Sequence, residues 1–148
     1  MIPPFARFGL LPPGIHWTNW DEFTRHFGWN EHRQSLLTGL GKAIECLASA
    51  GCVEVFIDGS FVTRKETPND YDACWRQTGI DPERLDPVFF DFSHFRRAQK
   101  ERFGGEFLIA ETPADLDGAT IFEYFQKEVR RGVVVRKGII GLRIGDDA

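Results

Sequence analysis

Two aspartates one residue apart, Asp70 and Asp72, stand at the head of an apolar run that ends at Trp75. Separated from Asp70 by nine residues, a Gly59-Ser60 pair closes the β-forming stretch Val53 to Ile57. On a strand, residues two apart project to the same side, so Asp70 and Asp72 present two carboxylates together while Tyr71 and Ala73 face away. Two anions held close are costly without a cation. Magnesium meets that need with one or two protein carboxylates and completes its shell from phosphate oxygens and water. A glycine lets the backbone approach phosphate, and serine adds a hydroxyl and an amide as donors. The stretch therefore suits a divalent cation that carries a polyphosphate. Turn chemistry is the competing explanation, with Pro68-Asn69-Asp70 as a turn whose side chains bond local amides. It gives no reason for Asp72, a charge inside an apolar strand.

The succession from Val53 through Gly59-Ser60 to Asp70-Tyr71-Asp72 resembles the signature of the DNA polymerase β-like nucleotidyltransferase superfamily. Residues Gly59 to Asp72 are similar, more narrowly, to a group of small bacterial nucleotidyltransferase-like proteins, some of them found in toxin–antitoxin contexts. The wording around Phe125-Gln126 and Lys137 to Ile140 fits the same group. The resemblance implies one minimal nucleotidyltransferase domain that moves a nucleoside monophosphate from a triphosphate such as ATP to a hydroxyl of RNA or protein. It implies that Asp70 and Asp72 hold magnesium, two ions in all, and that Gly59 and Ser60 clamp the triphosphate. Lys65 or Arg64 would reach phosphate from the loop that follows. It also implies a further carboxylate on a neighbouring strand. Two residues qualify: Glu106, which opens a strand after a glycine break, and Asp91, inside the apolar run 88–92. Glu106 is preferred, although glutamate departs from the more familiar aspartate and reaches about one carbon farther. A different class of function stays beside this one: a protein of the same fold with little turnover, acting as a toxin or antitoxin subunit that binds a partner encoded nearby. Small size and the lack of room for an acceptor domain favour it.

The elements that must position these residues follow from periodicity and punctuation. Residues 1–14, with Pro3, Pro4, Pro12 and Pro13, read as an extended arm, and residues 15–148 as the domain. Thr18 to Asp21 has the form of a capping box, followed by Trp20, Phe23 and Phe27 at helical spacing up to Gly28. Asn30 caps a longer helix, on which Leu36, Leu37, Leu40, Ala43, Ile44, Leu47 and Ala48 form one apolar face before Gly51 ends it. Cys52 to Ile57 is a strand, Phe61 to Asn69 a short helical turn and loop, and Asp70 to Trp75 the next strand. Asp81 to Pro87 opens a helical region. Val88 to Phe92 fits either strand or buried helix. Ser93 to Phe103 is helical with its basic residues outward, and Glu106 to Ala110 is a third strand. Ile121, Phe122, Phe125 and Val129 suit a short helix. Val133 to Val135 and Ile139 to Ile144 are terminal strands, in a hairpin or at a sheet edge. The sum is an α/β (α+β) chain with a mixed sheet flanked by helices.

Composition bounds the function. The 148 residues fit one domain with a real core. No apolar run reaches membrane-spanning length and the N-terminus lacks the order of a secretory signal, so the expected location is cytoplasmic with no membrane partner. Cys46, Cys52 and Cys74 are odd in number and lie in or beside apolar runs, as reduced core thiols do. They and the scattered histidines show no zinc spacing. A net charge of −4 argues against broad nucleic-acid binding. Two basic clusters, 96–102 and 127–137, read first as solvated faces; an RNA-binding module built on them ranks last.

Overall fold

Alternation along the strands sorts their side chains onto two faces, and a computed structural model of the chain, which describes residues 1–145, shows what covers each. Residues 146–148, assigned to the domain by the sequence reading, lie outside the described residues. The elements run β1 (Gly14–Thr18), α1 (Trp20–Phe27), α2 (Glu31–Ser49), β2 (Glu54–Asp58), β3 (Tyr71–Trp75), α3 (Ser93–Phe103), β4 (Gly105–Ile109), α4 (Ile121–Tyr124), β5 (Lys127–Arg130), β6 (Val133–Arg136) and β7 (Gly138–Arg143). Five strands form a mixed sheet in the order β1-β7-β2-β3-β4, and β5 and β6 pair as a separate hairpin. The outer pairs, β1 with β7 and β3 with β4, are parallel; the two inner pairings are antiparallel. The expected α+β class with a mixed sheet and flanking helices is thus the observed one.

One face carries Val55, Ile57, Tyr71, Ala73, Trp75 and Phe107, which join Phe23 and Phe27 of α1 and Leu40, Ala43 and Leu47 of α2 in the main core. Full burial of each such aromatic or leucine stabilises the fold by about 1.5–3 kcal/mol. The opposite face is smaller: Phe56, Cys74 and Ile139 pack with Phe125 and Phe122 beside α4. Asp58 and Asp72 alternate in phase with Phe56 and Cys74, so the acidic residues share this thinner side, away from α1 and α2.

The helices start where short polar side chains can accept from free amides. Asn30 accepts from the Arg33 amide at 2.8 Å at the head of α2. Asn19 does the same for Glu22 at the head of α1, also at 2.8 Å. The cap of α1 therefore sits one residue later than the expected Thr18, whose hydroxyl instead donates to the Glu22 carboxylate.

Several expectations need correction. The Pro-rich arm is irregular apart from one 3₁₀ turn at Arg7–Gly9, yet it is packed down, with Ile2, Leu10 and Leu11 buried. β1 follows it directly, and its pairing with β7 lies too far along the chain for a local pattern to show. The segment 81–87 makes turns; helical geometry begins only at the 3₁₀ turn Pro87–Phe90, where Asp86 accepts from the Val88 amide. That turn also settles the run 88–92, which forms no strand. Val129 belongs to β5, not to a helix. β7 is an inner strand between β1 and β2, where its Ile139, Ile140 and Leu142 are buried, so it is neither an edge nor half of the hairpin.

Candidate functional site: a row of carboxylates beside a glycine bend

Sheet register brings three acidic residues into line. Asp58 at the end of β2 stands opposite Asp72 on β3, and Asp72 stands opposite Glu106 on β4. Directly opposed residues point to the same face, so the three side chains form a row across three strands. Asp70 lies just ahead of β3, and its charge is felt at Asp72. The structure thus brings Asp70, Asp72 and Glu106 together. It does not bring Asp91 to them: that residue is half-buried, and its carboxylate accepts from the amide and hydroxyl of Ser93.

The Gly59-Ser60 bend lies against this row. Gly59 has φ +83°, and a Cβ there would fall 2.6 Å from Oδ2 of Asp72. A side chain at this position would collide with the carboxylate as well as strain the backbone, so the bend requires glycine twice over. Gly59, Ser60, Thr63, Arg64 and Lys65 line a cavity of about 820 Å³ together with Lys137, Glu128 and Arg130.

Cations surround the row but do not neutralise it evenly. Glu106 receives Lys100 Nζ at 2.9 Å and Arg96 Nη2 at 3.1 Å. Burial opposes its ionisation, but these two donors prevail and hold its carboxyl below the usual range. The basic residues expected on an outward face of α3 therefore include two that turn inward. The helix admits this through an unusual start, in which His94, Phe95 and Arg96 all have positive φ. Asp58 sits 3.1 Å from Lys137 Nζ, close enough for charge pairing, though its Oδ1 has no aligned hydrogen bond. Burial raises its pKa against the pull of Lys137.

Among the described residues, no cation pairs with Asp72. Burial, and then the charges of Glu106, Asp58 and Asp70, push its pKa up to about 7. Asp70 is raised too, by burial and by Glu106, with Lys100 and Lys65 pulling the other way. Among the described residues, no three His, Cys, Asp or Glu side chains converge as a ready-made metal cage. Magnesium does not need one, because it binds through one or two carboxylates and keeps its other positions for water and phosphate. Hard oxygen donors, crowded beyond what the nearby cations offset and facing a bend without a side chain, fit that ion. Asp70 and Asp72 are the residues that would hold it. Glu106 would join only by loosening its hold on Arg96 and Lys100.

The loop after the bend is fixed by a residue that sequence reading overlooked. Arg33 of α2 is 0% exposed. Its guanidinium donates to the carbonyl oxygens of Phe27, Phe61, Thr63 and Lys65, at 2.6 to 3.2 Å. Trp29 stacks on it, with its ring centroid 3.6 Å from Cζ. Burial pushes its pKa down to about 10, still far above neutrality, so the charge is kept. A signal existed, since Arg33 falls three and four residues before Leu36 and Leu37 and so lies on the apolar stripe of α2. Asp58 was visible only as a polar end to a β run. Its place opposite Asp72 needs the register, as do the roles of Arg96, Lys100 and Lys137.

Neither comparison, with curated proteins or with solved structures, gives a match. Residues 3–143 match the model of a family of unknown function (DUF6932), and the chain belongs to that family.

Proposed function

We propose that the protein is a magnesium-dependent nucleotidyltransferase that moves a nucleoside monophosphate from a nucleoside triphosphate to a hydroxyl acceptor. One observation carries the reading: Asp72 is packed among Asp58, Asp70 and Glu106 against the Gly59 bend, a crowding of anions that a bound cation would relieve. Bound magnesium would supply charge to the developing oxyanions of phosphoryl transfer. Asp70 and Asp72 would hold the cation. The Ser60 hydroxyl and the amides of the bend take phosphate oxygens in the adjoining cavity, and Lys65 on its rim adds positive charge. The acceptor oxygen forms a bond to the α-phosphorus, the bond to the bridging oxygen of the β-phosphate breaks, and pyrophosphate leaves while the hydroxyl proton passes to solvent. Glu106 orients the acceptor. Buried or half-buried free thiols and the lack of any helix long and apolar enough to cross a membrane, among the described residues, are compatible with a cytoplasmic setting.

A second reading has its own support. Arg96 and Lys100 already occupy Glu106, which suits a fold that binds nucleotide but turns over little and serves as a toxin–antitoxin subunit for a protein partner. Incubation with each α-labelled triphosphate, magnesium and a cell extract separates the two. Label on RNA or protein with wild type, and none with Asp70→Asn or Asp72→Asn, is the expected result. Equal labelling by the variants would overturn the transfer reading, whereas a stable complex without label would favour the subunit.

A further inference from the structure

The proposed transfer needs an acceptor, and a second cavity lies beside the first. A groove of about 1000 Å³ runs between the arm and the β5–β6 hairpin and shares Ala6, Phe8, Leu10 and Arg130 with the cavity at Gly59 and Ser60. The two are therefore parts of one continuous surface.

The groove has two kinds of wall. Val133 and Val134 are each 62% exposed on a two-stranded hairpin, an arrangement that has little stability in water without something to cover it. Arg7, Arg130, Arg131 and Arg136 also line it, and among the described residues no acidic one does. Arg130 shares its charge with Glu128. Among the described residues, no carboxylate pairs with Arg7, Arg131 or Arg136. Phe8, about half exposed, lies between them, with Arg7 Cζ 5.1 Å and Arg130 Cζ 4.6 Å from its ring centroid. Guanidiniums without a carboxylate partner suit a row of anions, and a half-exposed aromatic ring with neighbouring valines suits flat apolar rings. A single-stranded polynucleotide carries both at a regular spacing. An acidic peptide answers the charges but leaves the aromatic face unused.

The geometry points to this groove as the binding site of a single-stranded polynucleotide, with phosphates on the arginines and a base on Phe8, leading its hydroxyl toward the Gly59-Ser60 cavity. The inference rests on the nucleotidyl-transfer reading for what happens to the strand, and on the groove alone for its binding.

Fluorescence anisotropy of a labelled oligouridine of about ten nucleotides, in chelator and without triphosphate, tests it on the full chain. Wild type is expected to bind, and to lose about fifty-fold in affinity between about 50 and about 200 mM salt, as four phosphate contacts require. The double variant Arg131→Glu, Arg136→Glu should bind at least about tenfold more weakly. Phe8→Ala, a change in the arm outside the hairpin strands, should lose about fivefold or more and keeps the test open if the double variant unfolds. An oligodeoxynucleotide of matching sequence forms the second arm: binding of either strand supports the groove, and the tighter arm names the source. Absence of binding, equal binding by the folded variants, or displacement by polyglutamate at equal charge would overturn it, the last in favour of an acidic protein. Triphosphate binding with magnesium should be unchanged in the double variant. Wild type that holds the oligonucleotide but no triphosphate would strike down the transfer reading and leave the groove standing.

Discussion

Arg33 and Asp72 are two charges taken inside the same fold on opposite terms. Arg33 is surrounded by carbonyl oxygens, and an aromatic ring covers the guanidinium plane. Asp72 is surrounded by other carboxylates, with a bare glycine in front of it. A buried charge that serves the fold is enclosed by its complement, since an uncompensated one costs several kcal/mol. A charge left crowded by its own sign is a cost that a ligand can remove. The two lie at either end of one device: Arg33 fixes the loop that begins at the Gly59-Ser60 bend, and Asp72 rests against that bend.

The contrast can be broken most forcefully at Arg33. Arg33→Ala strands four backbone carbonyls in the interior and should destabilise the protein by about 3–5 kcal/mol, read from urea unfolding. Arg33→Lys should recover only part of this, because an ammonium cannot reproduce the planar fork. A loss below about 1 kcal/mol would show that the clamp is not structural.

Asp72 should behave in the opposite sense. Its folded pKa, about 7, lies above the ordinary 3.8, so the folded state holds the proton more tightly than the unfolded chain. The contribution of Asp72 to stability is therefore complete below its ordinary 3.8 and is lost as pH rises through about 7. Glu106 is shifted downward, so its favourable contribution is complete above its ordinary 4.5 and does not confuse that window. Without divalent cation, unfolding free energy should drop by about 2–3 kcal/mol from about pH 5 to about pH 7, and Asp72→Asn should flatten the slope. A slope unchanged in the asparagine variant would place the titration elsewhere.

The smallest effect is expected at Arg96. Removing it frees one side of Glu106 while Lys100 remains, so Arg96→Ala should tighten magnesium binding by about two- to fivefold at low salt. Weaker binding would show that Arg96 serves the occupied site instead of competing for it.

How much of this was legible beforehand depended on the range of each signal. The strands β2 and β3, the bend between them, α1 and α2 all follow from local alternation, helical spacing, glycine and asparagine caps. The pairing of β1 with β7 and the inner position of β7 depend on contacts between chain ends, which no window along the sequence contains. The same limit divides the site. Gly59, Ser60, Asp70 and Asp72 lie in one stretch and could be read together. Glu106 was approached through its glycine break, but its cations, and Asp58 with Lys137, are defined by register and by a left-handed turn at 94–96 that nothing in His94-Phe95-Arg96 announces. The inward turn of Arg96 and Lys100 shows why: a basic residue on a polar helix looks solvated until the strand beside it is known.

The central claim is that Asp72 is left uncompensated in order to hold a cation that carries a triphosphate. Calorimetric titration of wild type and Asp72→Asn with a non-hydrolysable triphosphate near pH 8, with and without magnesium, addresses it most directly. Wild type should bind only when magnesium is present, and the variant should not bind. Equal affinity in both proteins, or affinity that ignores magnesium, would contradict it.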